Sequence, residues 1–315
     1  MIQRFHTLTG AALMALAAPQ AIAADDAWTM DFAAAKATAA EAGKDLLLEF
    51  TGSDWCPPCQ MLNREVFSQE AFLTNAPEHF VLVKLDFPND KSGIPEAIQQ
   101  QNDELAKQYG VSGFPTIILS DAKGRPYAST GFSQGGAEQY VEHLKALQEN
   151  RVRRDDAFTT AADAEGVAKA KALVGALDAM ELDPAAVTQF YGEVVEEIKA
   201  NDPEDETGFV RQAAVQKRLD EFQEEINALA GAGNFEGILT SIDNVLKTEG
   251  LTPDQQQEVT LTRALVFAEL GRFDEAINVV DEAAKISPES EVAPLLDGFK
   301  TQLIEARDAA PAAEE

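Results

Sequence analysis

Apolar and polar positions follow one pattern before about residue 150 of this chain and another after it. In the first part, Leu46-Leu47-Leu48-Glu49-Phe50, entered from Asp45, is a short apolar run that reads as a buried strand. His79 to Phe87 alternates apolar and polar residues as a second core strand, and Thr116 to Ser120 makes a third. Asp121-Ala122-Lys123-Gly124 is a hairpin turn into Tyr127-Ala128-Ser129. Helices are expected from Met30 to Ala42, ended by Gly43, from residue 56 to Glu65 or so, from Ile94 to Tyr109, stopping at Gly110, and from Ala137 to Gln148. The order βα, βα, ββα predicts an α/β fold in which helices cover a sheet.

After residue 150, alanine, glutamate, aspartate and glutamine recur at helical spacing with almost no strand signal, which predicts an all-α second domain. The join is expected at Asn150-Arg151-Val152-Arg153-Arg154-Asp155-Asp156, a charged segment poor in apolar anchors. At the start, Met1-Ile2-Gln3-Arg4-Phe5-His6 carries a positive charge and no acid, and the apolar run Ala11 to Ala18 leads to the small-x-small pattern Ala21-Ile22-Ala23. This reads as a secretory signal peptide cut near Ala23, with a retained anchor as the alternative, so the mature protein is expected outside the cytoplasm, periplasmic or secreted. The expected parts are a leader at 1–23, an α/β domain at 24–150, a helical domain at 151–308 and a disordered tail at 309–315. Beyond the leader no apolar stretch approaches the length of a membrane helix.

The chemistry concentrates in Trp55-Cys56-Pro57-Pro58-Cys59, directly after the first strand. Two sulfurs three apart at a helix start point to a redox dithiol: unpaired N–H groups and the helix dipole favour a thiolate on the first, while the second stays within bonding reach. Cys56, at the solvent-facing start, is the expected nucleophile, and Cys59, a turn further in, the resolving thiol. As a structural staple the pair is poor, because so short a loop removes little unfolded-chain entropy. A zinc site generally needs four ligands, and the rest of the chain offers only His6, His79 and His143. The expected redox group is therefore the Cys56–Cys59 disulfide itself, with no other cofactor. Pro57 and Pro58 have no N–H, so the chief local donor to Cys56 is the Cys59 N–H, and a less stabilised thiolate means a less oxidising disulfide. The net charge of −29 repels nucleic acid and anionic lipid and suits solubility.

Residues from about 28 to 149 resemble a thioredoxin-family domain, on Leu48-Glu49-Phe50-Thr51-Gly52-Ser53-Asp54-Trp55-Cys56-Pro57-Pro58-Cys59 and Tyr109-Gly110-Val111-Ser112-Gly113-Phe114-Pro115-Thr116. The resemblance implies a cis Phe114-Pro115 bond facing the dithiol, with Trp55, Phe114 and Pro115 beside the client. It also sets Glu49 in the place of the family's buried acid, able to take the proton from Cys59, with two departures: a glutamate stands there, and Thr51-Gly52-Ser53-Asp54 contains one extra residue. The Pro-Pro pair resembles tryparedoxins and nucleoredoxins, which act as reductants. The segment Phe87 to Gly93 and the polar helix after it form an insertion against the compact pattern, read as a solvated loop.

Gly271-Arg272-Phe273-Asp274-Glu275-Ala276-Ile277, with Ala264, Ala283 and Pro288, looks like half of a tetratricopeptide repeat, and Gly233-Asn234-Phe235-Glu236-Gly237-Ile238 echoes it. Small residues allow close helix packing, the glycines allow tight turns, and arrays of this kind bind proteins. Together these features imply an exported thiol–disulfide oxidoreductase working in the reductase or isomerase direction on client proteins. It would draw electrons from a membrane donor and bind a further protein through its repeats. The alternative is a non-catalytic scaffold or adaptor in which the repeats do the binding.

Overall fold

The structure, a computed structural model, describes residues 27–180 and 182–309, so the expected leader and residues 310–315 of the expected tail lie outside the described residues. Five strands, β1 (Trp28–Thr29), β2 (Asp45–Thr51), β3 (Phe80–Asp86), β4 (Thr116–Ser120) and β5 (Pro126–Thr130), form one sheet in the order β1-β3-β2-β4-β5. β3 runs parallel to both β1 and β2, whereas β4 is antiparallel to β2 and to β5. β2 is central, and all seven of its residues are buried. A strand dry on both faces reads as a continuous apolar run, which is why Leu46 to Leu48 show no alternation.

Helices cover both faces. Leu46, Leu48 and Phe50 pack with Phe32, Ala35 and Ala39 of α1 (Phe32–Ala42) and with Leu105 of α4 (Glu96–Gln108). The dithiol helix α2 (Pro57–Leu62) runs on as one π-helical turn, Asn63–Phe67, and is followed by α3 (Glu70–His79). α5 (Gly136–Ala162) lies on the face opposite α1, since Asp45, out of phase with Leu46, bonds its Gln148 and Arg151. α3 and the two-residue β1 have no counterpart among the expected elements.

The charged segment expected to join two domains lies inside α5, which is unbroken through residues 150–156. Its anchors are polar, so an apolar count misses them: Asn150 and Arg154 are buried. Arg154 pairs with Asp155 at 2.7 Å and with Asp121 at 3.3 Å, and donates to the Tyr191 hydroxyl at 2.8 Å. That hydroxyl donates in turn to the Pro126 carbonyl at 2.7 Å, at the start of β5. The chain divides into two compact units, one holding residues up to Ala164 together with Gly175–Val195, the other Glu165–Val174 together with the chain from Glu196 onward. The division falls inside α6 (Gly166–Asp178) and α7 (Pro184–Asn201).

The second unit is helical, as its spacing predicts. α8 (Phe209–Gly231) and α9 (Phe235–Val245) form one hairpin, α10 (Pro253–Glu269) and α11 (Phe273–Ile286) another, and α12 (Ala293–Ala309) packs on α11. Gly233 and Gly271 turn the two hairpins at φ of 68° and 71°, a left-handed conformation that residues with a Cβ rarely adopt. Ala264, Ala276 and Ala283 are fully buried where the helices of the second hairpin meet. Among the described residues no helix is long and apolar enough to cross a membrane.

Arg154→Ala removes the buried guanidinium shared by Asp121, Asp155 and the Tyr191 hydroxyl, with Arg125 still paired to Asp121 at 3.0 Å, and should lower the stability of the first unit by about 2 kcal/mol. Tyr191→Phe, which removes one hydrogen-bonded hydroxyl, should cost about 1 kcal/mol. Urea unfolding with the disulfide intact measures both, and equal effects would show that the arginine charge is not the anchor.

Candidate active site

β2 delivers the chain to the site. After Thr51, the turn Gly52 to Trp55 is closed by two bonds to the Gly52 carbonyl, from Trp55 N at 3.3 Å and Cys56 N at 2.9 Å. Cys56 is then the N-cap of α2, and Pro57 and Pro58 fill the first helical positions, where a missing N–H costs least. Cys56 and Cys59 form a disulfide with their Cα atoms 5.3 Å apart. The Cys59 N–H reaches Cys56 Sγ at 3.3 Å, the donor left after two prolines.

Cys56 is 3% exposed and Cys59 1%, so in the oxidised form the first sulfur is less open than a helix start implies. The exposed surface at this corner is Trp55, 46% exposed, with Pro57 and Pro58. The Phe114-Pro115 bond is cis, as the resemblance implied, and both residues are half-buried. Phe114 meets Trp55 edge-on at 5.8 Å and stacks on Phe87 at 5.1 Å.

Glu49 lies in β2 opposite Lys84 on β3 and Ile117 on β4, and is 3% exposed. It lines a cavity of about 280 Å³ with Asn63 and Phe67 of the π turn, Lys84, Asp86 and Trp28. Burial pushes the Glu49 carboxyl up to about 7, against the lowering pull of Lys84 and a hydrogen bond from Thr51, with Asp86 adding to the rise. The same burial, with the Glu49 charge nearby, raises the Tyr140 hydroxyl of α5 above the ordinary phenol range. The extra residue in the loop therefore leaves this carboxyl inside the fold, beneath the turn that continues the dithiol helix.

The 87–93 insertion is solvated as expected, with residues 89–93 exposed, and it is also tied to the turn before the dithiol. The Asp54 carboxylate accepts the backbone N–H groups of Asn89 at 3.0 Å and Asp90 at 3.2 Å, and the Trp55 indole donates to the Phe87 carbonyl at 2.8 Å. Asp86 accepts from both the N–H and the hydroxyl of Ser53, at 3.0 and 2.6 Å. Asp54, Asp86 and Phe87 thus tie the loop after β3 to the turn before the dithiol, an attachment that reading the sequence missed. The one available signal was two acids flanking a turn, too common to single out.

Residues 32–148 match the family described as a thioredoxin-like domain, and with this sheet, dithiol and cis-proline that part of the chain is a thioredoxin-like domain followed by a helical region. Its relatives are Dsb-type proteins. The chain is 40% identical over 103 residues to the disulfide bond reductase DsbH of Chlamydia pneumoniae, covering 33% of this chain and 61% of that protein. To the thioredoxin-related protein DsbJ of the same organism it is 32% identical over 92 residues, 29% of this chain and 26% of DsbJ. To the thiol:disulfide interchange protein DsbD of Actinobacillus pleuropneumoniae it is 31% identical over 115 residues, 36% of this chain and 18% of DsbD. The chain thus spans less than two thirds of each of these relatives.

Because Glu49 holds its proton up to about 7 when folded and only to about 4.5 when unfolded, the native state binds the extra proton between those values. Its contribution is complete below pH 4.5 and declines as pH rises through 7. Glu49→Gln should flatten that decline and make the protein more stable than the wild type at pH 8 by about 3 kcal/mol. Unfolding curves at pH 4, 6 and 8 measure the difference, and parallel pH profiles would mean that the carboxyl is hydrated.

Proposed function

We propose that the chain is an exported thiol–disulfide oxidoreductase that reduces or isomerises disulfides in client proteins outside the cytoplasm. The observation that carries this reading is the Cys56–Cys59 bridge at the start of α2, with a dehydrated Glu49 on β2, the strand that leads to it. In the reducing direction, the Cys56 thiolate attacks one sulfur of a client disulfide, forming a Cys56–client bond and releasing the other client sulfur as a thiolate. Cys59 loses its proton to the Glu49 carboxylate and attacks Cys56 Sγ. This re-forms the internal bridge and releases the second client thiol. Two electrons pass from the dithiol to the client, so each cycle must be followed by a two-electron thiol donor. A membrane protein is the donor expected, because an oxidising compartment supplies no soluble pool.

The donor count at Cys56 supports the reducing direction. With two prolines following, one backbone N–H reaches its sulfur, and a thiolate stabilised so little favours giving electrons away. The names of the similar proteins, a disulfide bond reductase and an interchange protein, support the same reaction class. The hairpins α8–α9 and α10–α11 are read as tetratricopeptide-like units that bind a further protein, supported by their glycine turns and buried alanines. No other cofactor is called for.

Cys56→Ser should abolish insulin reduction with dithiothreitol as donor, whereas Cys59→Ser should stop after one turn and accumulate mixed disulfides with clients. Glu49→Gln should slow release of those mixed disulfides by about 100-fold near neutral pH, the usual scale of a positioned base. Full turnover by Cys56→Ser sinks the assignment.

A further inference from the structure

Three consecutive residues before the nucleophile, Ser53, Asp54 and Trp55, are each tied to the segment Asp86 to Asp90 by the five hydrogen bonds described above. All three are exposed, so these bonds do not relieve a buried polar cost and add little to folding. What they do is fix geometry. The indole of Trp55 is held by its N–H on the Phe87 carbonyl, and the Phe87 ring holds Phe114 from the other side. Gly52 belongs to the same arrangement, since a Cβ there would stand 2.5 Å from Cε2 of Trp55, and any side chain would drive the indole off its bond.

We propose that Asp54 and the backbone of Phe87–Asp90 form a clasp that holds Trp55 and Phe114 as a preset aromatic wall for docking an apolar or aromatic stretch of client polypeptide beside Cys56. The proposal rests on the oxidoreductase reading and names the residue that positions its substrate. Asp54 is a positioning residue: it touches neither sulfur nor client, and acts by fixing the loop whose Phe87 carbonyl pins the indole. A tryptophan half in water would otherwise lose rotamer freedom on each encounter. The clasp removes that loss before the client arrives. A small disulfide does not reach the wall and gains nothing from it.

The test compares wild type, Asp54→Ala and Gly52→Ala on two substrates, insulin and glutathione disulfide, and reads the anisotropy of Trp55 in a Trp28→Phe background, which leaves one tryptophan. Both variants should raise KM for insulin about 5-fold with kcat unchanged, leave glutathione disulfide turnover unchanged, and lower the Trp55 anisotropy. Asp54→Asn, which keeps one carbonyl acceptor, should fall between Asp54→Ala and wild type. The proposal is overturned by an unchanged insulin KM, by equal losses on both substrates, or by an unchanged anisotropy. A wild-type protein inactive on both substrates would defeat the oxidoreductase reading, and the anisotropy would still decide whether the clasp holds the indole.

Discussion

Because β2 is sealed on both faces, between β3 and β4 within the sheet and between α1 and α5 across it, any polar group it carries must live without water. It carries two that matter. Asp45, at the start of the strand, takes bonds from Tyr127 at 2.9 Å and Gln148 at 2.7 Å on one oxygen and an ion pair with Arg151 on the other, and burial still raises its carboxyl above the usual range. Glu49, four residues on, has Lys84 across the strand pair and a hydrogen bond from Thr51, which do not offset its dehydration. Asp45 fastens α5 to the strand, and burial pushes the Glu49 carboxyl up to about 7.

The two ends of the strand therefore hold buried carboxyls in different surroundings. At Asp45 the surrounding donors come from β5 and α5, elements that close the back of the domain. At Glu49 the surroundings are a cavity and the π turn, and the cavity gives the carboxyl room that a packed core would not.

Legibility followed burial. β2, β3 and β4 were readable because their apolar runs answer directly to a dry sheet, and the dithiol because cysteine spacing carries its chemistry with it. α3 was not, since Phe72, Leu73 and Ala76 are interrupted by Pro77 inside the helix, and β1 is too short for any period to show. The extension of α5 was misread as a linker for a related reason. Its fixing residue is Arg154, whose burial is offset by Asp121, Asp155 and Tyr191, two of them distant in the sequence. Polar anchoring of that kind is invisible until the partners are brought together. The 87–93 insertion is the solvated loop its sequence suggests, but its attachment was not legible, because it runs through the carboxylate of Asp54.

The extra residue between Glu49 and the dithiol raised a difficulty, since side chains alternate along a strand and one added position would carry the acid to the wrong face. The structure absorbs the addition after the strand. Pairing of β2 with β3 stays in register from Asp45 through Thr51, so Glu49 keeps its place opposite Lys84. The turn from Gly52 then takes up the surplus by returning Trp55 N and Cys56 N to a single carbonyl. Such a turn sets Ser53 and Asp54 outward, where they meet Asp86 and the loop that follows β3. The insertion in one loop and the insertion in the other are thus two halves of one contact, and the strand that carries Glu49 keeps its register.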